Sequence, residues 1–138
     1  MTAIAAITLA DGQATPANHT FAPVGIDANG VARYEDKSGG IALGFPAVTI
    51  SMRRPTKGSR NYKVTGKVVL PVLEVTSPST ATGIQPAPTK AYDLIANVDF
   101  VLPERSSVAQ RSDVLAYMKN LVAGAVITSA AKDLEGIW

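Results

Sequence analysis

Between residues 47 and 70 the chain alternates apolar and polar side chains twice, with a loop between the two runs. Val48, Ile50 and Met52 alternate with Thr49, Ser51 and Arg53. Val64, Val68 and Leu70 share one parity and are opposed by Lys63, Thr65 and Lys67. Pro55-Thr56-Lys57-Gly58-Ser59 between them is a loop by composition. Successive side chains on a strand point to opposite faces, so the pattern predicts an antiparallel hairpin with one apolar and one polar face. The apolar face must be covered, and the polar face is free to meet water or a ligand.

The rest of the chain supplies more strands and then the cover. Residues 3–9 form a short apolar run that stops at the turn dipeptide Asp11-Gly12. A second short extended stretch is expected over residues 13–17, and residues 21–26 read as loosely extended and broken by Pro23. Asp27-Ala28-Asn29-Gly30 is a turn, residues 31–36 alternate as a half-buried strand, and Ser38-Gly39-Gly40 ends it. Residues 76–89, with Pro78, Pro86 and Pro88, read as a long exposed loop. The last strand covers residues 92–102, with Leu94, Ala96, Val98, Phe100 and Leu102 on an apolar face and Asn97 and Asp99 on the other.

After Pro103 the period changes. Ser106 or Ser107 can cap a helix in which Val114, Leu115, Met118, Leu121, Val122 and Ala125 recur at three- and four-residue spacing. Gly124 weakens or ends it, and a shorter helix is expected over about residues 128–134. Strands first and helices last make an α+β chain, an antiparallel β-sheet with two C-terminal helices, read as a single domain over residues 1–138. Only those helices, from the same chain or from a partner, are available to cover the apolar sheet face.

Several function classes find no support in the residues. The absence of Cys removes disulfides, thiolate metal sites and a cysteine nucleophile. The sole histidine, His19, lies between Asn18 and Thr20 near an expected loop with no orienting partner evident, so it reads as a surface residue rather than a general base. No metal-ligand spacing and no glycine-rich phosphate or dinucleotide motif occurs, which predicts no metal, no cofactor and no catalysis. The start of the chain lacks the basic region of a secretory signal, and no apolar run approaches the roughly 20 residues of a membrane helix. A soluble protein made in the cytoplasm, with no membrane partner, is expected.

Charge points to one surface. The net charge is only +2, yet residues 53–67 hold Arg53, Arg54, Lys57, Arg60, Lys63 and Lys67 with no acid. A basic stretch on a nearly neutral protein predicts an anionic partner there, although a solvated hairpin tip explains the same residues. If the three strands pair, Thr49, Ser51, Arg53, Lys63, Thr65, Lys67 and Asn97 project from one side of the sheet. Cations neutralise phosphates, while hydroxyls and amides bond sugars and base edges. A flat sheet displaying both suits single-stranded or looped RNA better than a duplex groove.

These residues, in this order, resemble the coat proteins of small single-stranded RNA bacteriophages, the levivirus-like family. Asn29-Gly30-Val31-Ala32 followed by Tyr34, Val48 to Arg53, Lys63 to Val68 closed by Pro71, Asn97 to Pro103 and the final Ile137-Trp138 carry the resemblance, which spans nearly the whole chain. It implies an N-terminal hairpin, a five-stranded antiparallel sheet, and two helices that clasp a second subunit into an intertwined dimer. Dimers would build an icosahedral virion shell, assembled in the host cytoplasm, around single-stranded genomic RNA. The RNA site would comprise Thr49, Ser51, Arg53, Lys63, Thr65, Lys67 and Asn97. The dimer interface would include Val114, Leu115, Met118, Leu121 and Val122, and the loop at residues 76–89 would join dimers at the symmetry axes. Repression of translation through an RNA hairpin is a further implication. Ile95 stands where the family's best-known operator site has a base-stacking tyrosine, and Ala47 where it has a cation, which predicts weaker selectivity. A small dimeric RNA-binding regulator that forms no shell is the competing reading.

Overall fold

The computed structural model describes residues 2–75 and 86–138. Six strands form one antiparallel sheet in chain order: β1 (Ile7–Ala10), β2 (Asn18–Ile26), β3 (Val31–Glu35), β4 (Ala47–Arg53), β5 (Asn61–Leu73) and β6 (Lys90–Pro103). Two helices follow, α1 (Val108–Ala123) and α2 (Ala125–Lys132). The described residues fall into two units, the sheet with its N-terminal hairpin and a second made of residues 55–61 and 102–138. The expected contacts of the loop at residues 76–89 rest mainly on residues outside those described.

The N-terminal strands differ from expectation in an informative way. Residues 13–17 are not a strand but a loop closed by Asp11. The Asp11 carboxylate accepts the backbone N–H groups of Gln13 (3.3 Å) and Ala17 (3.0 Å), and its own N–H donates to the Ala17 carbonyl at 2.9 Å. An aspartate that satisfies nearby backbone donors favours a turn over a ladder. Pro23 does not break β2 either. It sits opposite Tyr34 beside a register shift between Pro23 and Gly25, the bulge at which a sheet tolerates a residue without an N–H. β2 therefore runs on from its pairing with β1 into its pairing with β3, so the expected N-terminal hairpin is continuous with the five strands β2–β6 in one six-stranded order.

The β2–β3 turn follows its residues closely. Asp27 Oδ1 accepts from Asn29 N–H at 2.8 Å and Val31 N–H at 3.0 Å, and Gly30 takes a φ of +75° that a side chain would strain. Register then fixes the faces. Tyr34 lies opposite Val48, Pro23 opposite Tyr34, and Ile7 opposite Phe21. Phe21, Tyr34 and Val48 are the buried apolar core, with Ile7 and Ala32 packed against it.

This core occupies only the β1–β4 end of the apolar face. Farther along the same face Ile50, Met52, Val68 and Leu70 remain exposed, Met52 at 55%. In the second unit α1 begins at a capping box. Ser107 N–H donates to Gln110 Oε1 at 2.9 Å, and Gln110 N–H donates to Ser107 Oγ at 3.2 Å. Gly124 ends α1 as expected, and α2 starts three residues earlier than the expected residue 128, bent 53° from α1. No single helix among the described residues is long and apolar enough to cross a membrane.

Candidate nucleic-acid interface

Backbone register brings the expected polar residues together. Across β4 and β5, Thr49 pairs with Lys67, Ser51 with Thr65, and Arg53 with Lys63. Each pair has the parity opposite to Val48, Ile50 and Met52, so all six side chains share the face away from the buried core. On β6, Asp99 Oδ1 accepts the Thr65 hydroxyl proton at 2.6 Å, which sets Asp99 on that same face. Asn97 is two residues away on the same strand, exposed and of equal parity. The seven RNA candidates therefore occupy one continuous sheet surface.

That surface is more mixed in charge than the list of seven implied. Lys63 Nζ lies 3.6 Å from Asp99 Oδ1. Arg33, opposite Thr49, pairs with Glu35 at 3.0 Å, and Lys90 pairs with Asp93 at 2.8 Å. Arg33, Glu35, Thr49, Lys67 and Asp93 line one shallow depression with Leu43, Phe45 and Pro71. Among the described residues, Arg53 and Lys67 have no carboxylate within ion-pair distance. Sequence reasoning placed Asp99 on the polar face but assigned it no part. Its two-residue offset from Asn97 was the available signal. Arg33 was missed because its strand carried no other cation.

His19 is not a loop residue. It lies in β2 with Nδ1 3.0 Å from Asp36 Oδ2 and Nε2 3.2 Å from Asp11 Oδ2. Hydrogen bonds to the carboxylates of Asp11 and then Asp36 raise its pKa above the usual histidine value. Asp36 is buried and held below the usual carboxylate range, first by the backbone N–H of Ser38 and also by His19. Asp11 is lowered chiefly by the backbone N–H of Ala17. The cluster braces the first loop against the one after β3.

The proposed dimer residues all fall on α1. Val114, Leu115, Leu121 and Val122 are exposed, Leu115 at 59%, and Met118 is half-buried. Arg111 lies three residues before Val114, one turn ahead of their stripe. Its guanidinium turns back onto the Ser106 carbonyl and lies 3.3 Å from Ser106 Oγ.

The model of the Levivirus coat protein family matches residues 2–138. The chain belongs to that family. It is similar to the capsid protein of Pseudomonas phage PRR1, 29% identical over 134 residues and covering 96% of each chain. Among solved structures it resembles a virus-like particle of bacteriophage ESE058, with 30% identity and a TM-score of 0.90 over 99% of this chain and 100% of that one. It also resembles the bacteriophage GA protein capsid, with 25% identity and a TM-score of 0.73 over 96% of each chain. The coat protein is thus a structural component of an RNA phage capsid and not an enzyme.

Proposed function

We propose that this coat protein forms intertwined dimers that assemble into an icosahedral shell, and that the polar sheet face lines the shell interior and holds single-stranded genomic RNA. The observation that carries the RNA part is the set of three cross-strand pairs, Thr49–Lys67, Ser51–Thr65 and Arg53–Lys63, on one accessible face. Arg53 and Lys67 neutralise phosphates, while Thr49, Ser51, Thr65 and Asn97 supply hydrogen bonds to bases and sugars. Genomic hairpins are the RNA form proposed, and repression of translation follows where such a hairpin overlaps a start site. The assembly of relatives into virus-like particles supports the shell.

The dimer reading rests on apolar surface that one chain leaves open. Ile50, Met52, Val68 and Leu70 on the sheet and Val114, Leu115, Leu121 and Val122 on α1 are all exposed. A second copy that covers them gains about 1.5–3 kcal/mol for each such side chain fully buried, and exposed apolar surface of this kind, on the sheet and on the helix each taken by itself, marks an interaction surface. The family match through both structural units supports one coat-protein domain over residues 1–138.

Electron microscopy and size exclusion of the purified protein test the reading. Shells in the void volume with strong nucleic-acid absorbance are expected. A dimer that binds RNA but never closes a shell would leave the regulator instead. The RNA face is tested by Lys67→Ala and Asn97→Ala. Unchanged affinity of both variants for every RNA tried would reduce the face to a solvated sheet surface.

A further inference from the structure

We propose that Asp99 decides what the Lys63–Thr65 end of the polar face accepts: a base edge bearing an amino group rather than a phosphate. The inference rests on the reading of this face as the RNA surface and adds a specificity-determining residue to it. Asp99 Oδ1 is the acceptor for the Thr65 hydroxyl at 2.6 Å and lies 3.6 Å from Lys63 Nζ. A threonine hydroxyl has one proton and two lone pairs. With its proton committed to Asp99, Thr65 presents only lone pairs to a ligand. An ionised aspartate is likewise acceptor only. The two side chains therefore form an acceptor pair, and the adjacent ammonium is partly neutralised.

A phosphate fits this patch poorly. Its oxygens are acceptors too, and its charge opposes that of Asp99. The exocyclic amines of cytosine and adenine are donors and fit it well. The rest of the face has the opposite character. Lys67, opposite Thr49, and Arg53, opposite Lys63, have no carboxylate partner among the described residues. Backbone contacts thus belong to Arg53 and Lys67, and the position between them reads bases. Asp99 remains 47% exposed, so water screens the effect and its size is moderate.

The test measures binding of unassembled coat protein to oligocytidylate and oligouridylate of equal length at several salt concentrations. Cytosine offers an amino group, whereas the single N–H of uracil is flanked by two carbonyls. The wild type is expected to favour oligocytidylate. Asp99→Asn should bind oligouridylate about two- to fivefold more tightly and lose the preference. Its logarithmic salt slope should steepen by about 0.7, because Lys63 becomes free to neutralise one phosphate. In the wild-type background Lys63→Ala should barely change the slope, while Lys67→Ala should flatten it by about 0.7. That comparison does not depend on how Asp99→Asn folds. Equal slope losses for the two lysine variants, or a wild type indifferent to cytosine, overturn the inference. If Lys67→Ala weakens binding while Asp99→Asn changes nothing, the RNA face stands and Asp99 only braces its neighbours. If Lys67→Ala also changes nothing, the RNA reading falls and the role of Asp99 falls with it.

Discussion

His19 Nδ1 lies 3.0 Å from Asp36 Oδ2 while its other ring nitrogen lies 3.2 Å from Asp11 Oδ2. Ionised carboxylates only accept, so both contacts are hydrogen bonds only when both ring nitrogens donate, and the arrangement favours the imidazolium form. Its pKa is raised from 6.5, so the stability it contributes is fully present below pH 6.5 and is lost as pH rises through the higher folded value. Asp11 and Asp36 are lowered from 3.8, so their contribution is present above pH 3.8 and is lost as pH falls through their folded values. The cluster is therefore strongest between those limits. Thermal denaturation of wild type and His19→Gln should show the largest difference near pH 5, and the difference should shrink as pH rises above 6.5. A difference that is constant across this range would mean that His19 contributes only packing.

Ser107 and Gln110 offer a test of local stability. Their reciprocal hydrogen bonds satisfy two of the orphan donors at the start of α1. Ser107→Ala should cost about 1 kcal/mol in chemical denaturation, and Ser107→Asp should recover most of it. An Asp variant as weak as the Ala variant would mean that the first turn frays regardless of its cap.

The strands whose faces matter were readable because β4 and β5 each gather their apolar residues on one side, and a one-residue slip would invert every side chain. The same logic failed at β2, where Pro23 looked like a stop. A bulge is a tertiary solution that local composition does not announce. The end of α1 was readable at Gly124, but the apolar spacing that marked α1 did not register Arg111, which lies one turn ahead of the stripe and folds onto the Ser106 carbonyl. The RNA candidates could be collected on one face by parity alone. The engagement of Thr65 and Lys63 by Asp99 could not, since a contact between positions 34 residues apart depends on strand register. His19 was misjudged for the same reason: its two carboxylates come from different loops.

Leu121 is 57% exposed on α1 in a single chain. If a second subunit covers it, Leu121→Asp places a charge in an apolar interface, and an unpaired buried charge is strongly unfavourable. The variant should form neither dimers nor particles in size exclusion. Intact shells would remove this helix face from the dimer contact.

Gly66 lies in β5 opposite Ile50, on the apolar face between Val64 and Val68. A Cβ added there would meet nothing within 4 Å among the described residues. Glycine in a strand interior costs roughly 0.5–1 kcal/mol relative to alanine, so the isolated fold would gain from a side chain at this position. A glycine retained where its own chain leaves open space fits the close approach of another backbone. In the proposed dimer that backbone belongs to the second subunit. Gly66→Val should therefore leave the circular dichroism of the sheet intact while weakening dimerisation and lowering the yield of particles. The comparison with Gly66→Ala separates crowding from strand propensity: the smaller substitution should weaken assembly less than valine does. Particles that form normally and melt at a higher temperature with valine would mean that nothing packs closely over Gly66, and the partner would then have to cover Ile50 and Val68 from farther along the sheet.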